Sequence, residues 1–338
     1  MDYTRQILSE RHRLSHQQID KWFKVNSGSL YLQEKMSLLV SVKNFLYVTD
    51  LLRENKISFM CIKGPLLSYK LYGDAAVRFS HDIDLVINFD ELDFIIELLK
   101  EAGFTISDGM EWPKQDMRRR LLRKCLHHTS LYSKSLHFCV ELHWTILNEV
   151  PIKQEKLAAI VVSSQTNMYF ADRNFVVLNN ELELLYLMIH GAKHGWSRLK
   201  WLVDINEYPM ENINTSLFMQ LVHQLHAEKI VMQTNKLLLK YFGKEISFAP
   251  KGSIPNILIS YPQTFINKKD ITTLNVSEIW RNAVYVASLF PNISYKIRRI
   301  RNLFIRQNDI LDRDFSTAAM YYIYRPYSFF KRRILHVK

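Results

Sequence analysis

Between Leu30 and Asn55, apolar residues fall at Leu32, Met36, Leu39, Phe45, Leu46, Val48, Leu51 and Leu52, close to helical spacing, which predicts one long helix. Upstream, Ser15 suits the N-cap of a shorter helix over His16–Lys24. The period then changes. Ile57–Ile62 is a short apolar run ending at Lys63-Gly64 and reads as a strand, and Pro65 suits the first turn of a short helix over Leu66–Tyr72. Ile83–Ile87 is apolar and β-branched, a second strand. Asp90–Ala102 returns to helix, with Leu92, Ile95, Ile96, Leu98 and Leu99 on its buried side and Gly103 placed to end it. Phe104–Ile106 starts a further strand, and His127–Tyr132 and His137–Trp144 read as a hairpin turned at Lys134-Ser135. Beyond Pro151 the pattern is helices joined by short polar connectors, Glu181–Tyr208 being the most regular, with an irregular stretch around residues 250–267.

This order of periods predicts an α/β (α+β) chain. Residues 1–55 form an N-terminal helical support, 56–150 a core with a small mixed sheet flanked by helices, and 151–338 a mainly helical domain. At 338 residues, 48% hydrophobic and 23% charged, the chain is long enough for two domains and has globular composition. Neither a leader-type apolar run nor a stretch of membrane-spanning length stands out, so the expected location is the cytoplasm. Cys61, Cys125 and Cys139 are odd in number and scattered, which fits reduced thiols in two strands and a helix. A net charge of +12 favours anionic partners, whether nucleoside triphosphate, RNA or an anionic membrane surface, without choosing among them.

The candidate chemistry starts at Asp82 and Asp84. A strand throws alternate side chains to one face, so both carboxylates share a side while Ile83 and Leu85 point into a core. Two anions so close repel by roughly 1–4 kcal/mol, a cost relieved by a hard divalent ion, usually Mg²⁺ in phosphate chemistry. The same alternation sets Cys139, Glu141 and His143 on the polar face of their strand, making Glu141 available as a third acid. Gly64, at a strand end before a helix, offers backbone N–H groups to phosphate, and Lys63 adds a charge. His190, His194 and Arg198 follow at i, i+4 and i+8 and predict one helix face, read as the wall of a nucleotide or acceptor pocket, as a structural network with Asp204, or as a pair of histidine metal ligands. Arg118, Arg119, Arg120, Arg123 and Lys124 form a basic run read either as a solvated face or as a wall for phosphate or RNA. The basic, aromatic tail (Lys296, Arg298, Arg299, Arg301 and Arg306, then Tyr321 to Arg333) reads as a helical cap, or as a surface for single-stranded nucleic acid or a membrane.

Lys63-Gly64, Tyr72-Gly73, Arg78, Asp82-Ile83-Asp84-Leu85, Glu141-Leu142-His143-Trp144 and the paired His190 and His194 occur in that order. The arrangement resembles the DNA polymerase β-like nucleotidyltransferase superfamily, and within it the uncharacterised bacterial nucleotidyltransferases, over about residues 30–210. Gly64-Pro65 stands where that superfamily has Gly-Ser or Gly-Gly, which removes one backbone donor. The resemblance implies an enzyme that moves a nucleoside monophosphate from a nucleoside triphosphate such as ATP to a hydroxyl or phosphate acceptor on a small molecule, a peptide or protein, or RNA. It implies two Mg²⁺ ions, or Mn²⁺, on Asp82, Asp84 and Glu141, the same three residues being catalytic. Nucleotide binding would fall to Lys63, Gly64, Arg78, His190, His194 and Arg198. The alternatives are a toxin-like tRNA-modifying nucleotidyltransferase that carries RNA on the basic patches, and a non-enzymatic nucleotide-binding module.

Overall fold

The computed structural model describes residues 3–24, 30–80, 82–106, 112–113, 115–269, 275–293, 295–297, 309–310 and 313–334. Ser15 caps α1 (His16–Phe23). Its hydroxyl oxygen accepts from the Gln18 N–H at 3.2 Å and the Gln18 side chain accepts from the Ser15 N–H at 3.1 Å, so both ends of the first turn are satisfied. The long helix forms as α2 (Leu30–Glu54), yet its first half is mostly uncovered. Phe45, Val48 and Leu52 are buried, whereas Leu32 and Met36 are 68% and 64% exposed, because the apolar cluster shared with the sheet begins only at Phe45.

Next come β1 (Phe59–Ile62), α3 (Gly64–Tyr72), β2 (Asp82–Ile87), α4 (Leu92–Glu101), β3 (Phe104–Ile106), α5 (Asp116–Cys125), β4 (His128–Ser133) and β5 (Phe138–His143). The five strands form one sheet in the order β1-β2-β5-β4-β3. Strands β2 and β5 run parallel, and the other neighbours antiparallel. Alternation along the strands divides two cores. On one face Ile83, Leu85, Leu131, Val140 and Leu142 pack with Val48 of α2 and with Ile95 and Leu99 of α4. On the other, Met60 and Ile62 of β1 join a cluster built mainly from later helices.

Those later elements are α6 (Gln154–Ser163), β6 (Gln165–Phe170), β7 (Arg173–Leu178), α7 (Asn180–Lys193), α8 (Leu199–Asn206), α9 (Thr215–Gln224), α10 (Glu228–Phe242), α11 (Ile257–Asn267), α12 (Val276–Leu289) and α13 (Ala318–Ile334). Two of them depart from the expected pattern. Strands β6 and β7 form a separate hairpin where only helices were expected. Phe175 and Val177 bury themselves against Phe45, and Arg173 holds Asp50 through two 2.7 Å bonds. The stretch read as irregular contains α11, with Pro262 inside it. Proline cannot donate to the carbonyl one turn earlier. The buried Gln233 side chain of α10 donates to that carbonyl, Leu258 O, in its place. No helix among the described residues is long and apolar enough to cross a membrane. Cys61 and Cys139, in β1 and β5, are free thiols.

Candidate active site

The parallel pairing of β2 with β5 sets Asp84 opposite Glu141 and Asp82 opposite Cys139. Paired residues in neighbouring strands share a face, so register alone gathers Asp82, Asp84 and Glu141. His143, two residues beyond Glu141, donates its Nε2–H to Asp84 Oδ1 at 2.9 Å, with Glu141 Oε2 at 3.3 Å. Asp84 is only 7% exposed. Burial alone drives its carboxyl pKa up, but the Lys63 charge and the bond from His143 outweigh it and hold the group well below the usual carboxylate range. Burial opposes protonation of His143, and Asp84 and Glu141 together more than offset it, raising the imidazole. Ligand atoms of Asp84, Glu141 and His143 lie within 4.8 Å of one another, a set able to hold a cation.

Opposite this acidic wall, Lys63 follows β1 with φ 57° and Gly64 has φ 59°, two positive-φ residues that turn the strand sharply into α3. Lys63 Nζ donates to His190 Nδ1 at 3.2 Å and lies 5.0 Å from the Tyr186 ring centre. Burial works against its charge, yet Tyr186 and Asp84 keep it protonated and raised. His190 is pushed well below its ordinary value by burial and by the Lys63 charge, so it meets Lys63 as a neutral acceptor.

His190, His194 and Arg198 do not lie on one continuous helix. Helix α7 stops at Lys193, His194 is its C-cap, and Arg198 is the N-cap of α8. Gly195 and Trp196 between them have φ 62° and 51°. The Trp196 ring lies so close over Gly191 that a Cβ there would sit 2.4 Å away, and its indole N–H donates to Gln233 at 3.1 Å. That buried ring turns the chain, and the turn still leaves all three residues lining one cavity of about 690 Å³ with Lys63, Arg78, Asp82, Asp84 and Glu141. Gly64 is buried just behind it, at the start of α3.

Arg78 lines the cavity with its guanidinium already held. Its guanidinium donates to both Asp204 oxygens, at 2.8 and 2.9 Å, and the side chains are 4% and 0% exposed. Lys200 of α8, which the sequence reading missed, does reach the cavity, with Nζ donating to Phe79 O. Burial and the Arg78 charge pull its amine down to about 7. Tyr186 and Trp201 were missed too; Trp201 stacks on His194 with ring centres 5.2 Å apart. No motif flags these residues, since they sit in helices whose pattern is that of packing. Both His127 and His128 line the cavity. Burial and His143 bring His128 down to about 4.

The basic run on α5 is largely engaged elsewhere. Arg118 donates to Ile310 O, Arg119 pairs with Asp93 and Arg123 lies 3.5 Å from Asp90, and none of the three lines the cavity. In the tail, Tyr321 is buried and donates to Arg313 O at 2.7 Å, while Tyr327 is exposed. Arg298, Arg299, Arg301 and Arg306 lie outside the described residues.

Residues 32–243 match the family described as "Uncharacterised nucleotidyltransferase". A comparison with curated proteins gives no match. Among solved structures, the chain is similar to lincomycin-bound lincosamide antibiotic adenylyltransferase LnuA, at 17% identity, covering 42% of this chain and 83% of that chain, with a TM-score of 0.30. It is also similar to ANT(2")-Ia in complex with adenylyl-2"-tobramycin, at 13% identity, covering 59% of this chain and 98% of that chain, with a TM-score of 0.30.

Proposed function

The chain belongs to the uncharacterised nucleotidyltransferase family and is an enzyme that transfers nucleotidyl groups, and on that premise we propose that it moves a nucleoside monophosphate from a nucleoside triphosphate to a hydroxyl acceptor, with Asp82, Asp84 and Glu141 as its catalytic acids. The observation that carries this reading is the register of Asp84 with Glu141 on parallel strands, facing a cavity whose far wall bears Lys63, Arg198 and Lys200. A volume of about 690 Å³ lies in the range that encloses a small-molecule ligand.

The oxygen donors of Asp82, Asp84 and Glu141 suit a hard divalent cation, Mg²⁺ or Mn²⁺. Bound there, the ion supplies charge neutralisation at the reacting phosphate and a lowered pKa for the acceptor hydroxyl. In the reaction, the acceptor oxygen bonds to the α-phosphorus as the bond from that phosphorus to the bridging oxygen breaks, and pyrophosphate leaves with the electron pair. Glu141, its side chain 25% exposed against 9% for that of Asp84, is the acid with access to the acceptor and takes its proton. Lys63, Arg198 and Lys200 hold the polyphosphate, and the turn at Gly64 presents its backbone to it. Arg78 is part of this wall, and its pairing with Asp204 keeps α8 against the Phe79 segment that Lys200 bonds.

The test is incubation of the purified protein with each α-labelled nucleoside triphosphate and Mg²⁺, alone, with RNA and with cell extract, followed by separation of label by size. Label on a small molecule, protein or RNA, absent with Asp84→Asn, is the expected result and identifies the acceptor class. Undiminished transfer by a folded Asp84→Asn protein would overturn the assignment of the acids.

A further inference from the structure

Three imidazoles share the cavity wall with the carboxylates. His128 opens β4 and faces His143 of β5 across the antiparallel pair, and His127 immediately precedes it. Ring centres are 4.5 Å apart for His127 and His128, 4.9 Å for His128 and His143, and 6.0 Å for His127 and His143. One nitrogen from each ring falls in a set whose members all lie within 4.8 Å of one another. All three rings line the open cavity that the carboxylates share.

The hydrogen bonds prepare these rings as ligands. His143 donates from Nε2 to Asp84, so in the neutral ring its lone pair sits on Nδ1, with the carboxylate orienting the imidazole from behind. Asn148 Nδ2–H donates to His127 Nδ1 at 3.1 Å; rotation of that amide to bring its oxygen to the same nitrogen places the His127 proton on Nδ1 and presents Nε2. His128 has a buried Nδ1 without a hydrogen-bond partner among the described residues, an arrangement that costs about 1–3 kcal/mol unless something binds there.

We propose that His127, His128 and His143 form a binding site for a borderline divalent transition-metal cation of the Co²⁺ or Zn²⁺ class, adjoining the oxygen donors of Asp82, Asp84 and Glu141. Imidazoles select such cations over Mg²⁺, which prefers oxygen. Three ring nitrogens leave a coordination position open toward the cavity, where water or an acceptor group enters.

Cobalt(II) is the probe, because low-coordinate, nitrogen-bound Co²⁺ absorbs visible light strongly and six-coordinate, oxygen-bound Co²⁺ weakly. Titration of the full-length protein with CoCl₂, without nucleotide, should give a strong visible band that saturates at equimolar cobalt and is displaced by Zn²⁺. His127→Gln and His128→Gln should each weaken cobalt binding by at least about tenfold, whereas Asp82→Asn should leave the band in place. Thermal melts show that each variant is folded, and the wild-type spectrum needs no variant to be read. Weak, oxygen-type absorption in the wild type overturns the site. So does a band that survives both histidine changes and vanishes with Asp82→Asn. No nucleotide is present, so this outcome is independent of the transfer assay.

Discussion

On the sheet wall of the cavity, Asp82, Asp84, Glu141 and His143 stand where strand alternation and the pairing of β2 with β5 put them. On the helix wall, Lys63, His190, His194, Arg198 and Lys200 come from a strand end, a helix, its cap and the next helix. Their positions depend on groups outside the cavity lining: the Trp196 ring over Gly191, the Gln233 bonds and the Asp204 carboxylate. Backbone ladders therefore hold the acids, whereas side-chain contacts hold the cations. An acid can be altered without unfolding its strand, but the groups behind the helix wall cannot be altered without loosening it.

The sharpest use of that difference is Glu141→Gln. It should lower the turnover number by roughly 10²–10⁴-fold with an unchanged melting temperature, read by nucleotidyl transfer and calorimetry on one preparation. A drop in melting temperature that accounts for the lost activity would erase the distinction between the walls. Next in size is Asp204→Ala, which leaves the Arg78 guanidinium buried without its partner. Urea unfolding should show a loss of about 3–5 kcal/mol, and lost transfer without lost stability would move Arg78 from the supporting structure to the chemistry.

The smallest expected effect is on pH dependence. Burial and Arg78 pull the Lys200 amine down to about 7, with Asp204, Asp82 and Lys63 also facing it. A bound polyphosphate favours the protonated amine. Nucleotide affinity should therefore be highest below pH 7 and fall above it, by at most about tenfold per pH unit. Lys200→Met should flatten that part of a KM profile, and an unchanged slope would remove Lys200 from the nucleotide site.

The sheet wall was legible in the sequence because its rule is local. Asp82 and Asp84 read correctly from period-two alternation, and Glu141 from a strand of the same kind. The helix wall was not. His190, His194 and Arg198 have helical spacing, but a spacing carries no sign of Trp196 tucking over Gly191 and ending the helix between them. The pairing of Arg78 was not legible because its partner lies 126 residues away. The β6–β7 hairpin escaped notice because Gln165–Phe170 is largely exposed and shows no apolar alternation. The stretch around residues 250–267 looked irregular although it holds α11, since the side chain that satisfies Leu258 in place of Pro262 comes from α10.

The parallel pairing of β2 with β5 also bears on how the enzyme acquires its activity. Asp84 and His143 touch although 59 residues separate them, and the intervening chain runs through α4, β3, α5 and β4 before β5 returns to the β2 edge. Contacts of such separation form late, because the loop entropy must be overcome before they contribute. A refolding chain would regain its helices and its β4–β5 hairpin first and its catalytic competence last. The recovery of activity should thus lag the recovery of helical signal, making turnover a clock for the closing step of folding.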